Sequence, residues 1–156
     1  MASWPEAWGA LVSELRSGRG QPALVVPNEG SEALLATLGP FVDERISVGE
    51  RFSESGSAGA ALSAIQPTAS SALLLDIEVL FSPQLHLDVV PFVRQLSQGR
   101  ALVVAWPGQV AGGRVSYSLP GRADYLDQRA SGLVVLRPVE VDFPDEVPYT
   151  VERYPA

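Results

Sequence analysis

The chain has 156 residues, of which 46% are hydrophobic, so we expect one folded domain with a substantial core rather than a disordered segment. It has no cysteine and one histidine, which excludes a disulfide framework, thiol chemistry and a histidine-rich zinc site. The net charge of −7 disfavours general affinity for nucleic acid, and all eleven basic residues are arginine, which excludes every mechanism that needs a lysine. No apolar run approaches the ~20 residues that cross a bilayer, so no membrane association is expected.

The first 20 residues predict an N-terminal helix. Residues 3–6 (SWPE) have the form of a capping box with proline in the first turn. The helix is predicted to run to about Ser17 and to stop at Gly18 and Gly20. Its buried face is predicted to contain Trp8, Leu11, Val12 and Leu15. The start of the chain lacks the basic region of a secretory signal, so the expected compartment is the cytoplasm.

Residues 23–38 have the order strand, loop, helix of a P-loop but lack its residues. The apolar run 23–26 predicts a short strand, and 33–38 predicts a helix. A P-loop needs the pattern G-x-x-x-x-G-K-[ST]. The residues at its positions are Pro27 for the first glycine, Glu32 for the second, Ala33 for the lysine and Leu34 for the serine or threonine, with Gly30 inside the loop. The carboxylates of Glu29 and Glu32 would also repel a phosphate at the start of the helix. We therefore interpret this segment as a vestigial Walker A loop and predict no nucleotide cofactor.

The middle of the chain continues the alternation of strands and helices. Residues 45–48 predict an edge or second strand, and 49–59 predict a polar, flexible loop. A short helix is predicted from Ser57, with Ala61, Leu62 and Ile65 buried. The apolar runs 72–75 and 101–105 predict strands that are buried on both faces. Between them, 87–96 predicts a helix with Leu87, Val90, Val93 (or Phe92) and Leu96 on one side. This order predicts an α/β fold, a P-loop-NTPase-like three-layer sandwich with a mostly parallel sheet.

Asp76 follows four apolar residues, which is the Walker B arrangement of P-loop proteins, whose acid holds a magnesium ion. In most such enzymes the catalytic glutamate follows this acid directly, whereas here Ile77 separates Asp76 from Glu78. We therefore interpret Asp76 and Glu78 as vestigial Walker B residues, with no catalytic or metal-binding role. The alternative is a weak or unusual nucleotide hydrolase that uses both carboxylates. His86 is interpreted as an ordinary loop histidine, because no G-x-S-x-G nucleophile elbow accompanies it.

The last third of the chain differs in character. Residues 112–117 predict a hairpin or edge strand, 121–129 a helical turn or more, 132–136 the last buried strand, and 138–156 an acidic tail. Residues 91–137 carry six arginines and two aspartates, so a DNA-contacting module is a further alternative. Aromatic and arginine side chains are enriched at interface centres, which predicts partner binding. The residues concerned are Trp106, Arg114, Tyr117, Arg122 and Tyr125. The aromatic residues could equally fill an end of the core or stack on single-stranded bases.

Several short stretches carry a family resemblance. They are DIEVLF at 76–81, LD at 87–88, ALVVAWPG at 101–108, GRVSY at 113–117 and PGRADY at 120–125. In these stretches the chain resembles BrxF, the small P-loop-containing protein of one type of BREX bacteriophage-exclusion system. The similarity extends over about 72–130, and the chain departs from the family's P-loop over the whole Walker A segment.

The resemblance implies a role as a non-catalytic component or adaptor of a multi-protein antiphage defence system. It also implies protein partners, which are a large ATPase, a DNA methyltransferase and an alkaline-phosphatase-like protein. DNA contact would then be indirect or weak. We find no internal repeat and expect 1–156 to form a single domain.

Overall fold

The computed structural model describes residues 3–17, 21–27 and 29–155. The α-helices of this part are α1 (Trp4–Ser17), α2 (Glu32–Leu38), α3 (Val48–Glu54), α4 (Ala58–Ala64) and α5 (Val89–Leu96). The strands are β1 (Ala23–Val25), β2 (Glu44–Ser47), β3 (Ser71–Leu75), β4 (Ala101–Ala105), β5 (Gln109–Ala111), β6 (Arg114–Tyr117), β7 (Leu126–Arg129), β8 (Val134–Pro138) and β9 (Tyr149–Arg153). Short 3-10 helices cover Gly39–Phe41, Ile77–Phe81 and Pro83–Leu85. Gly18 and Gly20, where α1 is predicted to stop, lie outside the described residues.

A six-stranded sheet runs through the fold in the order β2-β3-β4-β1-β8-β9. The five strands from β2 to β8 in this order are parallel, and β9 pairs antiparallel with β8. β1 is central, because Leu24 lies opposite Val104 on one side and Val135 on the other. The predicted mostly parallel α/β sheet is therefore confirmed. A second sheet, β5-β6-β7, is antiparallel.

The sheet is buried on both faces, which explains its continuous apolar runs. Successive side chains of a strand point to opposite faces, and in β1 Leu24 belongs to one core cluster while Ala23 and Val25 belong to the other. Helices α1 and α2 cover the cluster that contains Ala23 and Val25. Helices α4 and α5 contribute to the cluster that contains Leu24. The helices therefore form layers on both sides of the sheet.

Helix α1 begins as its sequence predicts. The amide of Glu6 donates to Ser3 Oγ at 3.4 Å, and Trp4, Trp8, Leu11 and Leu15 are buried, whereas Val12 is half-buried. The helix from Ser57 is also confirmed, because the amide of Ala60 donates to Ser57 Oγ. None of the helices in the part of the chain that the structure describes has both the length and the apolar character of a membrane-spanning segment.

Three predictions of local structure were wrong. Residues 48–54 form α3 rather than a flexible loop, because Ser47 caps the helix through the Glu50 amide, and Val48 and Phe52 pack on the core. Residues 126–129 form β7 rather than a helical turn, because they pair with β6. The acidic tail contains β9, which pairs with β8 along its whole length, so 132–136 is not the last strand.

Candidate functional site

The loop that the sequence predicts to be a vestigial Walker A lies between β1 and α2, at the carboxyl edge of the sheet. Ligands of open parallel sheets bind outside this edge. Gly30 has φ +86, and Ser31 is buried at the start of a helix of seven residues. Pro27 and Glu29 line two hollows, of about 470 Å³ and 720 Å³, one shared with β5 and β6 and the other shared with α2 and the segment 138–141. A phosphate placed in either hollow would therefore meet the carboxylate of Glu29 and no lysine.

Asp76 lies at the same edge of the sheet but is bonded to β2, which lies on the side of β3 away from β1. It follows β3 with φ +54, a conformation that aspartate tolerates better than most residues. Its Oδ2 accepts a hydrogen bond from Ser47 Oγ at 2.9 Å, and its carbonyl accepts from the Gly49 amide at 3.1 Å. Ser47 ends β2, and β2 and β1 lie on opposite sides of β3 in the strand order. Asp76 thus ties β3 to the start of α3.

Glu78 and Asp76 line the same hollow, which has a volume of about 500 Å³. Its other lining residues include Ser47, Glu50 and Glu54. The segment that carries Glu78 is a 3-10 helix. Among the described residues, no group of three His, Cys, Asp or Glu side chains could hold a metal ion.

An aromatic stack lies at the end of the core below the small sheet. Phe81 packs edge-on against Trp106, with ring centres 5.4 Å apart, and stacks on Tyr117 at 3.9 Å. Trp106 is only 1% exposed, and its Nε1 donates to the carbonyl of Ser116 at 3.0 Å. Burial raises the pKa of Tyr117, and the nearby carboxylates of Asp124 and Glu78 raise it further. Trp106 therefore fills an end of the core, which is the alternative that the sequence left open. Phe81 was not identified from the sequence as a candidate site residue.

The other predicted partner-binding residues lie on or beside the small sheet. Arg114 donates to Asp127 Oδ1 at 2.7 Å, and this bond lowers the pKa of Asp127. Tyr125 is 39% exposed and donates to Asp127 Oδ2 at 3.2 Å. Arg122 is exposed and lines a hollow with Glu78 and Asp124. Arg114 and Tyr125 thus lie together at Asp127, whereas Arg122 lies at the hollow with Glu78 and Tyr117 is half-buried.

No family model, curated protein or solved structure matches the chain.

The arginines of residues 91–137 mostly bind the protein itself. Arg94 donates to the carbonyl of Ser131, and Arg100 donates to the carbonyl of Leu96. Arg114 is paired with Asp127, and Arg137 is paired with Glu152. Only Arg122 and Arg129 of these six make no guanidinium bond to the described residues. Few free cations remain for contact with a nucleic-acid backbone.

His86 has φ +50 and is exposed at the end of a 3-10 helix. Its loop lies beside β7, where Asp88 accepts a hydrogen bond from Gln128 Nε2 at 3.1 Å. His86 and Asp88 line one groove, but no serine hydroxyl is bonded to His86 within the described residues. This arrangement supports no hydrolytic triad.

Proposed function

We propose that the chain is a non-catalytic component or adaptor of a BREX-type antiphage defence system, built on a P-loop-like fold that has lost nucleotide binding. The observation that carries this proposal is the phosphate loop itself. Pro27, Glu32 and Ala33 occupy the motif positions, and Glu29 lines the hollows on both sides of the loop. A carboxylate facing a phosphate is repulsive, and the chain has no lysine to offset it.

The strand order is compatible with a P-loop-like fold. β4 lies between β1 and β3, and β8 lies on the other side of β1. Gly30 follows β1 and Asp76 follows β3, so the two segments that we propose to be vestigial motifs both lie at the carboxyl edge of the parallel sheet.

An adaptor acts through its surface, and the exposed residues of the small sheet are suited to that role. Arg114, Arg122 and Tyr125 are of types enriched in binding hot spots. From the family resemblance, the proposed partners are a large ATPase, a DNA methyltransferase and a phosphatase-like protein in the cytoplasm.

Thermal denaturation with nucleotide tests the loss of binding. We expect no change in melting temperature with millimolar ATP or GTP and magnesium. A ligand present at ~100 times its dissociation constant would add ~2.7 kcal/mol to the free energy of unfolding. A magnesium-dependent rise in melting temperature would remove the pseudo-enzyme proposal.

Co-purification with the other proteins of the defence system tests the adaptor role. The double variant Arg114→Ala, Arg122→Ala should weaken co-purification and leave the melting temperature little changed. Equal recovery of partners by the variant and the wild type would place the interface elsewhere.

A second candidate function is a weak nucleotide hydrolase, because Asp76 and Glu78 line the same hollow. Asp76→Asn distinguishes the two functions. A folded Asp76→Asn protein that still protects against phage supports the adaptor, whereas loss of protection supports the hydrolase.

A further inference from the structure

The outer edge of β7 faces a groove that lies between this strand and the segment 82–89. We call it the β7 groove; its volume is about 580 Å³. Within the described residues, β7 pairs with β6 only, so its other edge has no strand beside it. Unpaired edges are templates for an added strand, and proteins commonly shield them.

The register of the small sheet identifies the free backbone groups of β7. The Ala130 amide donates to the Gly113 carbonyl at 2.8 Å, and these two residues continue the pairing of Arg114 with Arg129. In antiparallel strands, pairs that exchange hydrogen bonds alternate with pairs that do not. Gln128 is therefore bonded to β6, whereas the amides of Asp127 and Arg129 point outward. The carbonyl of Asp127 receives only a long contact of 3.5 Å from Arg114 Nη2.

The acidic side chains of the β7 groove favour an added strand that carries basic side chains. Its lining contains the carboxylates of Asp88, Asp124 and Asp127, the imidazole of His86 and the phenol of Tyr125, and no arginine is among the lining residues. The adjoining hollow, which shares Phe81, Ser82 and Pro83 with the groove, adds Glu78 and Arg122. Arg114 offsets only Asp127. Arginine or lysine side chains of an incoming segment would therefore be attracted to the remaining aspartates.

We propose that the β7 edge binds an extended, basic segment of a partner protein, which pairs antiparallel or parallel to β7 as a fourth strand. In this mode the main-chain hydrogen bonds supply affinity, and alternate side chains supply specificity. The proposal rests on the adaptor function only in taking the partner to be a protein.

Selection from a phage-displayed library of random decapeptides on the purified full chain tests the proposal. We expect enriched peptides with arginine or lysine at alternate positions. A synthetic copy should bind wild type and Arg129→Ala within about threefold of each other, because this change keeps the outward amide. The peptide should bind Arg129→Pro about tenfold more weakly, because proline lacks the outward amide. The hydrogen bonds between β7 and β6 do not use this amide and are kept.

A second variant keeps the test decisive if Arg129→Pro fails to fold. The double variant Asp88→Asn, Asp124→Asn removes two charges at nearly constant side-chain volume. It should bind the synthetic peptide about tenfold more weakly than the wild type at low salt. The proposal is overturned if no peptide is enriched, if the enriched peptides are acidic, or if folded Arg129→Pro binds as well as Arg129→Ala. It is also overturned if the chain dimerises through β7 and Arg129→Pro makes it monomeric. Nucleotide binding in the thermal assay would end the proposed function without changing any of these results.

Discussion

Gly108 allows the small sheet to lie against the main core, and we predict that Gly108→Ala is strongly destabilising. An added Cβ would lie 2.8 Å from the carbonyl carbon of Ser116 and 2.9 Å from Tyr117 Cα, and closer still to the Ser116 carbonyl oxygen. Because these atoms are backbone, β6 would have to move by more than about 1 Å to restore ordinary carbon–carbon contacts of about 3.5–4.0 Å and to clear the oxygen. Overpacking of this kind costs about 1–3 kcal/mol.

The same movement would disturb the hydrogen bond that Trp106 Nε1 donates to the Ser116 carbonyl. A typical bond contributes about 0.5–1.5 kcal/mol, so the total loss should be about 2–4 kcal/mol. For a chain of this length, that corresponds to a fall in melting temperature of about 10 °C. Urea denaturation, followed by tryptophan fluorescence and circular dichroism, measures the loss directly.

Gly9→Ala is the matched control, because Gly9 lies inside α1 and an added Cβ there meets nothing within 4 Å. This change should stabilise the protein by about 0.5–1 kcal/mol. If Gly108→Ala unfolds within about 0.5 kcal/mol of wild type, as a neutral surface change does, the packing argument is refuted.

Three further predictions concern single side chains. Asp76→Asn should change the free energy of unfolding by less than about 1 kcal/mol. Asp76→Val should lower it by more, because a β-branched residue is strained at φ +54. Urea denaturation of both variants measures the difference. The pKa of Glu14 is lowered by its hydrogen bond to Arg153. The stability that this bond contributes to the folded state is therefore fully present above pH 4.5 and is lost as the pH falls through the lowered pKa. Both side chains are substantially exposed, so Glu14→Gln should cost at most about 1 kcal/mol at pH 7 and nothing near pH 2. Tyr149→Phe should raise stability by about 1 kcal/mol in thermal and urea denaturation, because the buried Tyr149 hydroxyl has no hydrogen-bond partner among the described residues.

The central strands could be predicted from sequence because each is apolar at successive positions. A run such as 72–75 can be buried only if both faces of its sheet are covered, so it also predicts the helical layers. Helix α1 could be predicted because its cap and its apolar spacing are both local. These features need no knowledge of the rest of the chain.

The elements that were not predicted depend on contacts remote in sequence. Helix α3 has seven residues, and its burial rests on Val48 and Phe52 meeting the core. Strand β9 lies among prolines and acids and is held by pairing with β8, and the segment before it is bonded to α1 through the Trp4 amide and the Asp145 carbonyl. Strand β7 has four residues, too few for alternation alone to identify it.

The candidate site divides in the same way. The prediction that the loop binds no nucleotide rests on the sequence alone, because each motif position requires one residue type, and Glu32 and Ala33 are not those types. The hydrogen bond from Ser47 to Asp76 could not be predicted, because it requires knowing that β2 neighbours β3. The stack of Phe81 on Tyr117 likewise joins residues that only the tertiary fold brings together.

The segment that follows β4 links the β1–α2 loop to the proposed docking edge. Ser116 and Tyr117 share a hollow with Pro27 and Glu29, so the β5–β6 hairpin lies beside the loop, where the fold would place a ligand. The buried Trp106 and the close approach at Gly108 anchor this hairpin to the main core. An anchored strand loses little conformational freedom when a peptide binds, whereas a mobile loop would have to be ordered first. The same segment therefore occupies the space beside the β1–α2 loop and presents β7 as an anchored, open edge, which is why we expect binding there.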